Sequence, residues 1–200
     1  MKRLLAVVCL VPLLIGCSGM RVVESQVNAA STLPEATAAL SGARYRFERL
    51  PSQTDPVATE SAQAIAEAEL AEVGLVHDDA AARYSVQLTT RMQSCLVDEW
   101  GHRYEGGGLH GSIMIGSGGF GNMVGFGMGT AFPPSTQYRH EVNLLLRDLA
   151  TGQLVYETSA THVGPWSDRY NILRALLAAA LKDFPNPPAG SRRVKVEIPR

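Results

Sequence analysis

The sequence has too few cysteines for a disulfide framework. Its three cysteines are Cys9, Cys17 and Cys95, and no two of them form a C-x-x-C pair. Small secreted folds that are held together by disulfides need several paired cysteines, so this class is excluded. Cys95 is predicted to be a buried small apolar side chain or, as the alternative, a reactive thiol.

The chain also lacks an excess of positive charge. The 200-residue chain carries 18 Lys and Arg against 19 Asp and Glu, which gives a formal net charge of −1. No basic stripe runs along the sequence. A weakly negative balance argues against a nucleic-acid-binding surface, and we expect no nucleic-acid partner.

The motifs of common catalytic and metal sites are missing. The five histidines form neither H-x-H nor H-x-x-x-H, so they are interpreted as dispersed surface or core residues. The sequence contains no G-x-S-x-G nucleophile motif and no G-K-S or G-K-T of a phosphate-binding loop. We therefore predict no catalytic residues, no metal site and no enzyme.

One segment, GSGGFG at residues 116–121, matches the G-x-G-x-x-G fingerprint of dinucleotide-binding proteins. That fingerprint requires a helix whose N-terminus opens on the loop and meets the pyrophosphate. The segment that follows, NMVGFGMGTAFPP, contains three glycines and ends in two prolines. Each glycine weakens a helix by about 1 kcal/mol, so no helix and no nucleotide site are expected.

Charged side chains are absent from residues 106–138, a stretch of 33 residues, and 11 of the 24 residues from 106 to 129 are glycine. This glycine-rich insertion, 106–134, is predicted to be either a loop that covers the domain's own core or a hairpin with arms near 109–115 and 124–130. A flat, uncharged hairpin invites pairing with another chain. The residues that such a hairpin offers to an envelope protein or to a second copy are Ile113, Ile115, Phe120, Phe126 and Met128.

The apolar run at the N-terminus is too short to span a membrane. Leu4–Ile15 is an uncharged run of 12 residues, whereas a transmembrane helix needs about 20. Lys2 and Arg3 precede this run, which is the arrangement of a secretory signal peptide. Residues 1–16 are therefore predicted to be a signal peptide.

The end of this signal resembles the bacterial lipobox, because Leu14-Ile15-Gly16 lead directly to Cys17. In that class the chain is cut before the cysteine, and the thiol carries a diacylglycerol. Ser18, and not Asp, follows Cys17, which by resemblance to enteric sorting directs the protein to the outer membrane. We expect a periplasm-facing protein that is anchored in the membrane by the lipid on Cys17, and no other cofactor.

Apolar periodicity predicts the order β, β, α, β, hairpin region, β, β, α, β. The predicted fold is α+β, a two-layer sandwich in which two helices pack on one face of a mainly antiparallel sheet. Residues 17–42 are predicted to hold the tether and a first strand, and 43–200 a single domain. The remaining strands are expected at 43–50, 84–92, 138–148, 153–163 and 194–198, with helices from Pro56 to Gly74 and from a Ser167 cap to near Phe184.

Several segments together resemble a known family. They are RYRFERLPSQ (44–53), LAEVGL (70–75), ARYSVQL (82–88), LLLRDLATGQLVYETSA (144–160) and LKDFPNPP (181–188). In this order they look like the bacterial lipoproteins called domain of unknown function 4136, over about residues 40–190. The resemblance implies an α+β lipoprotein of the bacterial envelope and no activity, so it transfers no catalytic residue.

The sequence thus favours an envelope lipoprotein that acts as a non-catalytic binding or structural module for an unidentified ligand. The alternative is a small periplasmic enzyme, a hydrolase or a thiol-dependent enzyme, with a site that no motif reveals. An exposed Cys95, or two histidines together beside a concave pocket, would favour the alternative.

Overall fold

The computed structural model describes residues 19–33, 40–51, 53–97, 101–103, 111–118, 121–128 and 134–199. Within these ranges the chain forms nine strands and two helices. In chain order they are β1 (Met20–Ser31), β2 (Arg44–Glu48), α1 (Pro56–Glu72), β3 (Val76–His77), β4 (Tyr84–Val97), β5 (Gly111–Gly118), β6 (Gly121–Met128), β7 (Ser135–Asp148), β8 (Leu154–Gly164), α2 (Arg169–Leu181) and β9 (Arg192–Pro199).

Seven of the described strands form one sheet, in the order β3-β2-β4-β7-β8-β1-β9. Every neighbouring pair is antiparallel except those of β2, which runs parallel to both β3 and β4. The predicted α+β class is confirmed. The two-residue strand β3 was not among the predicted strands, and it pairs with the start of β2.

The first strand, β1, lies inside the sheet, between β8 and β9. It includes the valines expected in a first strand, and Val23 and Val27 are fully buried. The side chains of β1 alternate between buried and exposed over most of its length, because successive residues of a strand point to opposite faces. The first strand is therefore an interior strand, next to the edge strand β9, and not an edge strand itself.

Two strands of 14 residues each, β4 and β7, are longer than the patterns at 84–92 and 138–148 predicted. They pair without a break from Tyr84↔Asp148 to Val97↔Ser135. β8 accompanies β7 only as far as the pair Tyr138↔Gly164. The β4–β7 arm, defined here as residues 92–97 and 135–140, extends the sheet at the end where β1 begins.

The first helix, α1, begins where the sequence placed it. Asp55 is the N-cap, and its carboxylate accepts a hydrogen bond from the backbone N–H of Ala58 at 3.0 Å. Pro56 occupies the first helical turn, where its missing N–H costs no hydrogen bond.

The second helix, α2, begins and ends differently from the prediction. Asp168, and not Ser167, is the N-cap, and its carboxylate accepts from the backbone N–H of Asn171 at 3.1 Å. The neighbouring Ser167 is an equally good capping residue by type, but Asp168 also forms an ion pair with Arg21. The helix ends at Leu181 and not near Phe184, because Lys182 has a non-helical ψ of 132° and Asp183 then adopts a positive φ of 68°.

The core lies between α2 and the sheet. The hydroxyls of Tyr156 and Thr158 both donate to the carbonyl oxygen of Ala180, at 3.1 and 3.0 Å. α2 also meets α1, where Arg174 pairs with Glu69 at 3.1 Å. The largest fully buried side chains are Tyr45, Tyr156, Leu70, Leu75, Leu144, Leu146, Ile172, Leu176, Leu177, Val23, Val27 and Val86.

Truncation of this core should be costly. Leu176 is 1% exposed, so Leu176→Ala removes apolar contacts and leaves a cavity, with an expected loss of about 2–5 kcal/mol in the free energy of unfolding. Leu96→Ala is the matched control, because Leu96 is 46% exposed on the β4–β7 arm. Urea denaturation measures both variants, and equal losses would contradict the assignment of the core.

Candidate functional site

The residues proposed for contact with a partner lie on the separate pair β5–β6, with one exception. Ile113 and Ile115 are on β5, while Phe126 and Met128 are on β6. Phe120 and the cysteine proposed for lipidation, Cys17, lie outside the described residues. The two strands end closer together than the arms predicted at 109–115 and 124–130.

The register of this pair decides which residues share a face. Ile113 is opposite Phe126, Ile115 is opposite Val124, and Gly111 is opposite Met128. Directly opposed residues of an antiparallel pair lie on the same face. The apolar face, as we call it, therefore holds Ile113, Ile115, Val124, Phe126 and Met128 together with Gly111, Ser117 and Asn122, whereas the glycine face holds Gly116, Gly118, Gly121, Gly125, Gly127, Ser112, Met114 and Met123.

The same strands show whether GSGGFG forms the loop of a dinucleotide site. Gly116 and Gly118 are in β5, and Gly121 is the first residue of the strand β6. The strand–loop–helix arrangement that brings a helix N-terminus to a pyrophosphate is not formed. The formal match reflects the glycine content of the segment.

A second group of residues was not singled out by the sequence. His140 of β7 and His162 of β8 are directly opposite each other, with ring centroids 6.5 Å apart, and both are buried. The signal was nevertheless present, because strands that flank the turn at 149–153 bring residues 140 and 162 together if they pair from the turn outward.

Backbone carbonyls fix the protonated nitrogen of each ring. Nε2 of His140 donates to the carbonyl of Trp166 at 3.1 Å, and Nδ1 of His162 donates to the carbonyl of Glu24 at 2.8 Å. A carbonyl can only accept, so these are the nitrogens that carry hydrogen. Nε2 of His162 makes no hydrogen bond to a described residue, and a Cβ on Gly164 would lie 2.7 Å from it.

Next to His162, toward the start of β1, lie the ring of Trp166 and the ion pair of Arg21 with Asp168. The ring of Trp166 lies parallel to that of His162, with centroids 6.2 Å apart, and the guanidinium of Arg21 lies 5.3 Å from the Trp166 ring centroid. Arg21 also pairs with Asp168. Burial tends to raise the pKa of Asp168, but hydrogen bonds from Asn171 and Arg21 outweigh it and hold the pKa below its usual value.

A cleft of about 160 Å³ opens beside His140. Its wall includes the side chains of Ala58, Thr90, Met92 and Arg169. This volume is smaller than the roughly 300–1,000 Å³ typical of sites for drug-sized ligands. An adjoining hollow of about 270 Å³ shares Ala58 and Thr90 and is lined mainly by polar residues near the start of α1.

The described residues offer little for metal or thiol chemistry. No group of three or more His, Cys, Asp or Glu is placed to hold a metal ion in the described part of the chain. Cys95 is half-buried on the β4–β7 arm, opposite Gln137, and is neither fully buried nor fully exposed. None of the helices among the described residues is long and apolar enough to cross a membrane.

Comparison with known proteins places the chain in a family. The model of the family described as domain of unknown function 4136 matches residues 33–186. No curated protein matches the sequence significantly. The family match covers β2 to β8 and both helices, and it includes neither β1 nor β9.

Solved structures show a likeness in fold. A PDZ domain protein from Parabacteroides distasonis has a TM-score of 0.52 at 13% identity, covering 89% of this chain. The chain spans only 39% of that protein's length, so the likeness bears on the fold alone. Two PelC dodecamers from Paraburkholderia phytofirmans, one of them a variant, have TM-scores of 0.46 at 17% and 18% identity. They cover 78% and 82% of this chain and 94% and 99% of their own chains, and at these TM-scores they add nothing further.

The buried His140 should make the fold sensitive to mild acid. Burial lowers the pKa of His140 below its usual value, although the hydrogen bond to the Trp166 carbonyl opposes this. As the pH falls below about 6.5, the unfolded chain binds the proton first, so stability is lost until the pH reaches the lowered pKa of the folded state. His140→Gln should flatten this decline.

Urea denaturation at pH values of about 7.5 and 5.5 checks this prediction. The packing cost of His140→Gln is present at both pH values, so it cancels in the difference between them. A variant that loses as much stability between the two pH values as the original chain does would contradict the role of His140.

Proposed function

The chain belongs to the family described as domain of unknown function 4136, and on that premise we propose that it is a lipid-anchored protein of the bacterial envelope. In this proposal residues 1–16 are a signal peptide, Cys17 carries the lipid, and the domain faces the periplasm from the outer membrane. The lipobox-like residues before Cys17 and the serine at position 18 support it.

We propose further that the protein binds and does not catalyse. The observation that carries this is the register of β5 and β6, which collects Ile113, Ile115, Val124, Phe126 and Met128 on one face of an uncharged segment. Contiguous apolar residues, where a surface presents them, are typical of contact sites. The partners that suit it are an envelope protein, a second copy of the chain, or lipid.

The finer architecture belongs to the same proposal. α1 and α2 form one layer over one face of the seven-stranded sheet, and β5–β6 is an accessory glycine-rich hairpin outside that sandwich. The hydrogen bonds from Tyr156 and Thr158 to Ala180 support the position of α2. The contact of α2 with α1 and the hollow between the start of α1 and β4 support the position of α1.

A small periplasmic enzyme is the second candidate function, because one observation favours it. His140 and His162 lie together, and His140 borders a cleft that also contains the guanidinium-bearing Arg169. The half-buried Cys95 would be the nucleophile of a thiol-dependent version. An activated thiol reacts with iodoacetamide faster than an ordinary one.

The alkylation rate of Cys95 separates the two functions. The binding module predicts that Cys95 reacts no faster than glutathione at neutral pH, since the residue paired with it, Gln137, is not a base. His140→Gln, which removes a histidine beside the cleft, should leave the rate unchanged. A rate more than about tenfold above that of glutathione, and lost in His140→Gln, would favour the enzyme.

Lipidation is tested at Cys17. The original chain should fractionate with the outer membrane, whereas Cys17→Ala should be soluble or remain unprocessed, because the acylated residue is gone. Cys95→Ala is the matched control and should fractionate as the original does. Continued outer-membrane fractionation of Cys17→Ala would contradict lipid anchoring.

A further inference from the structure

Four strands of the sheet can be aligned by one row of paired residues that crosses them. Backbone pairing joins β1 to β8, β8 to β7 and β7 to β4 at a single level, and the residues of this row are Gln26, Thr161, Glu141 and Arg91. From this row, β1 runs back to Met20, β7 runs back to Ser135 and β4 runs forward to Val97, all toward the same end of the sheet.

Three chain positions reach the same level at that end. Met20 lies six residues from the row along β1, Val97 six residues along β4, and Ser135 six residues along β7. At about 3.3 Å per residue each lies roughly 20 Å from the row. β1 and β7 are separated only by β8 in the strand order, so Met20 and Ser135 lie at the same end of the sheet.

The proposed lipid anchor is close to this end. Cys17 precedes Met20 by three residues, and three residues span at most about 11 Å. β1 is held at its start by pairing with β9 and by the ion pair of Arg21 with Asp168. A diacylglycerol on Cys17 therefore brings the end of the sheet that carries the β4–β7 arm to the surface of the bilayer.

The glycine-rich hairpin is attached to the same end. Met128, the last residue of β6, precedes Ser135 by seven residues, so it lies within about 25 Å of that end. Neither β5 nor β6 pairs with any other described strand. The hairpin is thus within reach of the membrane whichever way it leaves the arm.

The chemistry of the hairpin suits lipid better than a charged surface. From 91 to 141 the chain carries three arginines against four Asp or Glu, so it offers no excess of positive charge to anionic headgroups. Attraction must therefore come from the apolar face. An open hairpin leaves backbone groups unpaired along both edges, and these cannot enter the hydrocarbon core. The hairpin would lie flat at the boundary of headgroups and acyl chains.

We infer that the apolar face of the β5–β6 hairpin rests on the lipid surface and forms a second membrane contact beside the lipid on Cys17. This inference rests on the proposed lipid anchor, because the anchor sets which end of the sheet meets the bilayer. It assigns one occupant, lipid, to the contact face, in place of a protein partner or a second copy. The lipid on Cys17 holds the chain at the membrane, and the hairpin orients the domain on it.

Crosslinking in living cells tests the inference on the full chain. A benzoylphenylalanine in place of Ile115 should yield lipid adducts on irradiation, and the same probe in place of Leu154, which is 38% exposed at the opposite end of the sheet, should yield few. Mass spectrometry identifies the captured molecule. Adducts to another protein, adducts to a second copy, or no adduct at Ile115 would each overturn the inference.

Matched double variants test the face. With the probe at Ile115, Ile113→Ser with Phe126→Ser should lower the lipid adduct about tenfold or more, because two large apolar side chains lose their burial. Met114→Ser with Met123→Ser, on the glycine face, should leave it nearly unchanged. Equal losses in the two double variants would overturn the assignment of the face.

Membrane fractionation of the same cells separates this inference from the proposed function. If the probe-bearing chain is found in the membrane fraction but gives no lipid adduct, the anchor stands and the second contact is wrong. If the chain is absent from the membrane fraction, the proposed anchor itself is wrong, and the inference is overturned with it. Thermal unfolding of each variant checks that the domain remains folded.

Discussion

The structure depends on the pairing of β1 inside the sheet. A first strand at an edge could detach while the rest of the domain remained folded. β1 instead hydrogen-bonds to β8 on one side and to β9 on the other. Removing it would expose Val23 and Val27 and break two ladders of backbone hydrogen bonds. Because β1 starts three residues after Cys17, the proposed anchor is coupled to the core almost without a linker.

The buried polar group at the start of β1 strengthens this coupling. Arg21 reaches from β1 to Asp168, which in turn caps α2, so one carboxylate ties the strand to the helix. Trp166 fills the space between Arg21 and His162. Charges that are largely removed from water are tolerated when they are paired, as Arg21 and Asp168 are, although Nε of Arg21 has no hydrogen-bond partner among the described residues. We therefore interpret the group as structural first, although His140 also borders a cleft.

Local patterns predicted the elements of the fold well, and the reason is visible in single residues. The alternation from Tyr84 to Met92 places every second residue on one face, which any half-buried strand requires. The Asp55 cap needed only the residue type and the proline that follows it. The choice between Ser167 and Asp168 as a cap could not be made locally, because Arg21, far away in the sequence, decides it.

The candidate site was predictable only in part, for a similar reason. Sequence parity separated Ile113 and Ile115 from their neighbours, and separately Val124, Phe126 and Met128 from the glycines. Whether both sets share a face depends on register, which parity within one strand cannot supply. The level that Met20 shares with Ser135 is less predictable still, since it follows from three successive strand pairings.

The composition of the hairpin also limits what can stabilise it. A two-stranded hairpin is marginally stable in water, and glycines on one face add backbone entropy that must be overcome on folding. The pair β5–β6 therefore needs a surface that contacts its apolar face. A second copy would offer the same glycine-rich strands, with little side-chain surface on the glycine face. A bilayer can contact an apolar face of any shape, because its acyl chains are fluid. The proposed lipid anchor just before β1 places the bilayer close to the hairpin. The glycines then have a physical role, because they leave Ser112, Met114 and Met123 as the side chains on the face turned away from lipid.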